Sequence, residues 1–490
     1  MIKKLVNSTL LYMVAGALPA ISGMILLIPY TTYLTVPVYG ALSIYLSFSI
    51  LTQILITYSI DNYVAVGYVT RKNSKADLNM FIGTMIILIS VISLITLAAF
   101  GLIGHLLFDL FQNDYLAFYP FGLMSLIFAI SNVFLRLYST LLIYQQEPLK
   151  YLLINLVNFV LILFFSIYGL KLYPNTLFAP IVGRLISGIV TLVIIAYLLL
   201  KQYGITYDKK QLIGVNKYCF PVYKYNIYSW VIIYANNYLI LFLDKTTKVL
   251  GVFDFTMKCT LIIEVFQNSF CSTINPKIYE IWGEKRIDIE AVKEEYQYHK
   301  LFTILNILFI AISIFAIPLV GELIIKKREY IAYFKFLPFM LISFIFRPIL
   351  NIYTNCAYFF NNTKALPKMI VISAVIQIII MYLTFPYIGV WAAIISSFAA
   401  RLIQVIVLKL ITKEKLFITT HKIELLFIPL FYLVLIFGLF SINKISYFSA
   451  SCIQLFVSIL ITLLYAKSFF NIQLFKKKTL VSVKMNKDED

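Results

Sequence analysis

Val38-Tyr39-Gly40-Ala41-Leu42-Ser43-Ile44-Tyr45 and Val249-Leu250-Gly251-Val252-Phe253-Asp254-Phe255-Thr256 open two apolar segments 211 residues apart, and their pairing governs how the whole chain is read. Arg136 and Arg347 share the same offset. Further on, Gly183-Arg184-Leu185-Ile186-Ser187-Gly188-Ile189-Val190 is echoed by Ala400-Arg401-Leu402-Ile403-Gln404-Val405-Ile406-Val407 at an offset of 217. Three matches in one order point to a duplicated unit. Apolar matches are common in such a composition, so the weight rests on the glycines and the two arginine pairs.

The 490 residues are 61% hydrophobic and 13% charged, with mean hydropathy +0.90, whereas soluble domains hold about 45–50% apolar and about 25% charged residues. This is the composition of an all-α integral membrane protein. No polar stretch is long enough for a soluble catalytic domain, which excludes a membrane-anchored enzyme. A spanning helix needs about 20 apolar residues. Runs of that kind fall at 8–34, 38–60, 80–104, 116–143, 151–170 and 177–200, then at 218–243, 249–274, 301–323, 331–360, 367–386 and 389–412, with a final pair at 424–441 and 446–466. The expectation is therefore about fourteen transmembrane helices: a six-helix lobe over 1–200, a linker over 201–217, a second six-helix lobe over 218–412, and an extra pair with a basic tail over 413–490. Six spans per unit is an even number, so the two copies enter from the same side as parallel repeats.

With the N-terminus inside, 27 of the 41 Lys and Arg fall in inner loops or at the inner ends of the runs beside them and 7 in outer loops, which predicts that both termini are cytoplasmic. Lys326-Lys327-Arg328, in an outer loop, breaks the pattern. Met1-Ile2-Lys3-Lys4 and Ala15-Gly16-Ala17 imitate a secretory signal. Apolar character continues to Leu34, however, beyond the roughly 7–15 residues of a signal's apolar region, so the segment is read as a retained first helix. The net charge of +19 is spread over short loops and reads as membrane orientation, not nucleic-acid binding. Within the 275–300 connection, Ile278, Ile281, Trp282, Ile289, Val292 and Tyr296 fit either an interfacial amphipathic helix or an extension of the next span. The five cysteines (219, 259, 271, 356 and 452) form no C-x-x-C pair, and the three histidines (105, 299 and 421) stand far apart. With no metal spacing, paired carboxylates or phosphate-binding glycine loop, neither an enzyme nor a cofactor or metal site is expected. Lys476-Lys477-Lys478 reads as an anionic-lipid anchor.

Seven cations lie inside apolar runs, Arg136, Arg184, Lys224, Lys258, Lys335, Arg347 and Arg401, against the acids Asp61, Asp254 and Glu264. Each charge at a helix centre costs about 2.5–3.5 kcal/mol on insertion scales, so such residues face a bundle interior and mark a substrate or ion path. Asp254 and Lys258 share a helix face at i, i+4. Lys224 and Lys335, near span ends, also fit snorkelling to the headgroups. The four arginines are graded in depth across the membrane. Guanidinium stays charged when desolvated and binds phosphate bidentately, which favours an anionic, phosphorylated substrate. Asn155 and Asn158 in the fifth span, with Tyr234, Asn236, Asn237 and Tyr238 in the seventh, add polar and aromatic surface suited to sugars. Asp61, Asp254 and Glu264 are the candidates for ion coupling or charge pairing.

Ile28-Pro29-Tyr30-Thr31-Thr32-Tyr33-Leu34 followed by Val38-Tyr39-Gly40, Tyr203-Gly204-Ile205 leading to Phe220-Pro221, Asn236-Asn237-Tyr238-Leu239-Ile240-Leu241, Val249-Leu250-Gly251-Val252-Phe253 and Pro276-Lys277-Ile278-Tyr279 together resemble the bacterial O-antigen (Wzx-type) polysaccharide flippases of the multidrug/oligosaccharidyl-lipid/polysaccharide exporter superfamily. The resemblance spans nearly the whole chain. It implies two six-helix lobes, an inner-membrane location and alternating-access transport of undecaprenyl-diphosphate-linked oligosaccharide units to the outer leaflet. It further implies possible proton or sodium coupling and work beside other polysaccharide-assembly membrane proteins. Where that family often carries Asp-Arg in the seventh span, this chain has Asn237-Tyr238, which weakens a coupling role there. A cell-wall-precursor flippase or a multidrug or metabolite exporter of the same superfamily is the nearest alternative, although a cationic interior disfavours cationic drugs. A membrane polymerase or ligase would need a sizeable outer loop, and every outer connection is short.

The topology predicts that a reporter fused after Lys75, Lys210 or Lys487 is cytoplasmic and one fused after Asn113 or Asn443 is external. An external Lys210 would leave an odd number of spans before the repeat boundary and overturn the assignment.

Overall fold

The computed structural model describes residues 2–283, 289–359, 365–412, 422–441 and 445–465. The 413–421 boundary and the tail with Lys476-Lys477-Lys478 lie outside them. No strand occurs among the described residues. The helices are α1 (Ile2–Tyr33), α2 (Val36–Thr57), α3 (Ile60–Arg71), α4 (Lys75–Asp109), α5 (Leu123–Tyr144), α6 (Pro148–Leu172), α7 (Phe178–Tyr203), α8 (Val215–Asp244), α9 (Thr247–Cys259), α10 (Leu261–Gly283), α11 (Ile289–Ile324), α12 (Leu337–Ile342), α13 (Arg347–Phe359), α14 (Ala365–Ile388), α15 (Val390–Thr412), α16 (Lys422–Ser441) and α17 (Tyr447–Tyr465).

Every predicted segment carries a helix. Among the described residues eleven helices are long and apolar enough to cross a membrane, and twelve if the pair Arg328–Ile342 and Arg347–Phe359, bent by 42°, counts as one broken span, against about fourteen expected. The 249–274 segment falls short because it is divided at Thr260 into α9 and α10 and carries Asp254, Lys258 and Glu264. The apolar part of α16, Leu425–Ser441, is short. The chain is a multi-pass membrane protein. Around 275–300, α10 and α11 continue past the membrane-length runs, so this region extends the spans on both sides of 284–288. At about 1.5 Å per residue the 36-residue α11 reaches about 54 Å, well over a bilayer core of about 30 Å.

By packing, the chain divides into two compact units. The first comprises residues 1–261, 322–333 and 364–403, and the second 262–321, 334–363 and 404–490.

The first unit is organised by the crossing of α2 and α9, where the two glycines of the repeated stretch meet. A Cβ on Gly40 would collide with the Thr247 carbonyl oxygen, and a Cβ on Gly251 with that of Val36. Val36 and Thr247 are themselves 211 residues apart, so the contact is isologous: each repeat offers the same glycine to the same carbonyl of the other. Small residues permit such backbone approach in a bilayer, where apolar side chains gain nothing from leaving lipid.

Further contacts tie down the same end of this unit, the end predicted to be outside. The Thr35 amide donates to Asn175 Oδ1 (2.8 Å) and the Asn175 amide to the Tyr33 carbonyl (3.1 Å). Asn113 Nδ2 donates to the Lys245 carbonyl at 3.0 Å. The anomalous Lys327 has a structural task here: its Nζ (2.6 Å) and the Tyr330 hydroxyl (3.1 Å) both donate to the Leu34 carbonyl, which has no helical partner past the end of α1. Partial burial holds the Lys327 pKa below the ordinary lysine value, against the opposing pull of Glu329. The 201–217 linker lies along α4. Thr206 Oγ1 donates to the Asn79 carbonyl (3.1 Å), the Asp208 amide to Thr84 Oγ1 (3.0 Å), and Gln211 Nε2 to Asp77 Oδ1 (3.2 Å).

In the second unit the break between α12 and α13 leaves the Phe344 carbonyl outside a regular helix. Gln267 Nε2 (3.0 Å) and Asn306 Nδ2 (3.1 Å) both donate to it. With the Arg347 amide, which donates to the same oxygen at 3.2 Å, these buried amides satisfy the carbonyl at the break.

Gly40→Ala and Gly251→Ala are each expected to lower stability by about 1–3 kcal/mol, seen as a lower thermal midpoint in detergent. Because either methyl alone must separate α2 from α9, the double variant should lose little more than either single one. Fully additive losses would contradict the isologous contact.

Candidate functional site

Beside the crossing, the first unit holds a partly open cavity of about 450 Å³, walled by α1, α2, α5, α6 and α7 with Tyr234 of α8 and Asp254 and Lys258 of α9. Arg136 and Arg184 also line it. Three further predicted residues, Asn155, Asn158 and Tyr234, stand on its wall.

Arg136 on α5 is aimed by Asp61. Its Nε donates to Asp61 Oδ2 at 2.7 Å; the arginine side chain is 52% exposed and the carboxylate 6%. Asp61 is where it is because α2 stops at Tyr58 and Ser59, both with positive φ (47° and 59°), and a new helix begins at once. The carboxylate therefore sits in the first turn of α3, where the helix dipole favours a negative charge. Asn226 Nδ2 (3.1 Å to Ser59 Oγ) and Cys219 Sγ (3.7 Å to the Ser59 carbonyl) on α8 support this break. One carboxylate oxygen, Oδ1, is buried with no hydrogen-bond partner. The Arg136 terminal amino groups make no hydrogen bond to other described residues, leaving its planar fork available to an anion.

Arg184 is brought to the cavity by close packing of α7. A Cβ on Gly183 would stand 2.7 Å from the Ser166 amide nitrogen of α6. The Asn158 amide oxygen accepts from Ser187 Oγ at 3.0 Å, pinning α6 to α7 on the cavity side. The guanidinium lies 6.0 Å from the Phe128 ring centroid, at the outer limit of cation–π attraction. Its Nε is buried without a partner.

Lys258 and Asp254 form the i, i+4 pair that their spacing predicts, Nζ to Oδ2 2.7 Å, with side chains 24% and 6% exposed. The Tyr39 hydroxyl (3.2 Å) and Asn237 Nδ2 (2.8 Å) also donate to this carboxylate. Two carboxylates thus stand against three cations in and beside the cavity, and Arg184 is the cation that no carboxylate balances among the described residues.

The remaining predicted residues lie elsewhere. Asn236 and Asn237 are not on the cavity wall: both are buried, and Asn236 Nδ2 donates to the Ala393 carbonyl (3.1 Å) and Ser397 Oγ (2.8 Å) while its oxygen accepts from Gln377 (3.2 Å). It joins α8 to α14 and α15. Lys224 is exposed over the Phe220 ring, 4.1 Å from the centroid. Arg401 belongs to the first unit but does not line this cavity. Arg347, in the second unit, donates from Nη2 to Asn268 Oδ1 at 3.2 Å. Glu264, also in the second unit, is half-buried and makes no ion pair among the described residues. The graded set of four arginines therefore reduces to two in this cavity. Sequence reasoning missed Asn132, Ser43, Ser47 and Gln53 on the wall. Asn132 was findable, being one turn before Arg136 on the same helix face.

No family model and no curated protein matches the chain. Solved structures do match by fold. The lipid II flippase MurJ in its inward closed conformation superposes with a TM-score of 0.70 at 16% identity, covering 95% of this chain and all of that one. A multidrug resistance MATE family transporter of the MOP superfamily, inward-facing, gives 0.60 at 13% identity over 81% and 97%. An outward-facing conformation of a transporter described in the same words gives 0.54 at 14% identity over 84% and 94%. This chain has the fold of those transporters.

Asn236→Ala should lower the thermal midpoint, since interhelical hydrogen bonds in a bilayer contribute about 0.6–2 kcal/mol each. It should leave pyrophosphate affinity of the folded protein unchanged. A weakened affinity at unchanged stability would return Asn236 to the binding surface.

Proposed function

We propose that the protein is a flippase that carries undecaprenyl-diphosphate-linked oligosaccharide units across the bacterial inner membrane for surface-polysaccharide assembly, the two six-helix repeats rocking about the cavity. The observation that carries this reading is the cavity itself. It holds one guanidinium with open terminal nitrogens, a second with an unpartnered Nε and no balancing carboxylate, and amide and hydroxyl groups between them. A diphosphate supplies the missing negative charge and accepts several hydrogen bonds at once. The amides and hydroxyls suit the first sugars, and the prenyl chain stays in lipid. The surplus of positive charge disfavours a cationic drug.

A cell-wall-precursor flippase is the second reading, favoured by the likeness to MurJ over nearly the whole chain. Both cargoes share a lipid diphosphate and differ in the saccharide. Asp61, buried and with Oδ1 unbonded, is the carboxylate best placed for coupling to a proton or sodium gradient.

Deleting the gene in the native organism and analysing the lipid-linked saccharides that accumulate separates the two readings. Arg136→Ala and Arg184→Ala should each reduce export about tenfold or more at normal protein level, the loss of a charge-assisted hydrogen bond of roughly 1.5–3 kcal/mol. Lys at either position should keep part of the activity. Arg347→Ala and Arg401→Ala, outside this cavity, should cost less. Full export by both Arg136→Ala and Arg184→Ala would remove the anionic-cargo reading.

A further inference from the structure

The Asp254–Lys258 pair faces two ways. On one side it lines the cavity. On the other, Asp254 holds the hydroxyl of Tyr39, the residue next to Gly40 in the α2/α9 crossing. Tyr39 is fully buried, and its ring packs edge-on against Tyr330 with centroids 5.6 Å apart. Tyr330 in turn donates to the Leu34 carbonyl at the end of α1. The Lys258 ammonium lies 5.2 Å from the Tyr39 ring centroid. An unbroken line of contacts therefore runs from the cavity wall through the crossing to the clasp on the Leu34 carbonyl.

We propose that Lys258 couples cargo to this crossing: a diphosphate in the cavity draws the ammonium away from Asp254, and the carboxylate left without a cation in a buried helix contact favours opening of the α2/α9 crossing. This rests on the anionic-cargo reading above. Lys258 is suited to the exchange because its ammonium is a point charge with three donors on a flexible stem, able to turn from one anion to another. Asp254 is not. It is 4% exposed, and with Lys258 gone it keeps only the neutral donors Tyr39 and Asn237. Removing one partner from a buried pair strongly destabilises the arrangement that encloses it. Splaying α2 from α9 relieves this by hydrating the carboxylate, which lies one turn from Gly251. A ligand shifts a conformational equilibrium only through a difference in its interactions with the two states, and the competition for Lys258 supplies that difference.

The experiment uses the full chain in lipid nanodiscs, with the five native cysteines replaced by serine and spin labels at Pro37→Cys on α2 and Lys248→Cys on α9. The inter-label distance is measured with no probe, with inorganic pyrophosphate, and with undecaprenyl diphosphate, while binding of each probe is followed separately. The parent should show a short distance without probe and a longer population with probe. A response to pyrophosphate assigns the effect to the diphosphate itself, and a response confined to the lipid assigns it to the prenyl-linked form. Lys258→Gln should raise the long population at least about tenfold with no probe present. Asp254→Asn, which leaves no charge to expose, should keep the short distance with and without probe and still bind it. Lys258→Gln that stays short and lengthens on addition of undecaprenyl diphosphate, or a parent that binds without any change in distance, overturns the coupling. Failure of the anionic-cargo reading has a different signature, the absence of saturable binding of either probe to the parent.

Discussion

Two carbonyl oxygens, those of Val36 and Thr247, set how closely α2 and α9 lie, and much of the first unit is arranged around that approach. With glycine opposite each carbonyl the backbones come together without intervening side chains. That brings Tyr39 within reach of Asp254. In lipid this is an effective way to hold helices together, because apolar side chains gain nothing from exchanging lipid for protein. The hydrogen bonds of Asn175, Lys327 and Tyr330 then fasten the same end by capping backbone groups that the helix termini leave open.

The same absence of water explains the treatment of charge. Asp61 is placed in the first turn of a helix and given a guanidinium; Asp254 receives an ammonium, a phenol and an amide. Among the described residues Arg184 receives a distant aromatic face and keeps an unpartnered nitrogen. That imbalance is local to the cavity, whereas the surplus counted from the sequence is spread over all the apolar runs.

Much of this was legible in the sequence. Hydropathy located the membrane-length segments but not α3, and the offset of 211 residues singled out the two glycines that the crossing brings together. The i, i+4 spacing found the Asp254–Lys258 pair. What the sequence did not carry was which face of each helix turns inward. Asn236 and Asn237 look like cavity residues because they are polar and mid-span, yet amides serve equally well as ties between helices. The pairing of Asp61 with Arg136 joins residues 75 positions apart and depends on a break at Tyr58 and Ser59 with no glycine or proline to announce it. Lys327 looked like a breach of the charge rule because such rules count loop charges and not the carbonyls they reach.

A twofold contact has no handedness of response: pushed from its own axis, both arms yield alike. The two arms here are not alike. At the 211-residue offset, Asp254 and Lys258 correspond to Ser43 and Ser47, which line the same cavity but carry no charge. An electric pull arising in the cavity is thus felt through α9, while α2 serves as the fixed jaw. A contact matched in its backbone is thus unmatched in its charge, a lever with a single handle.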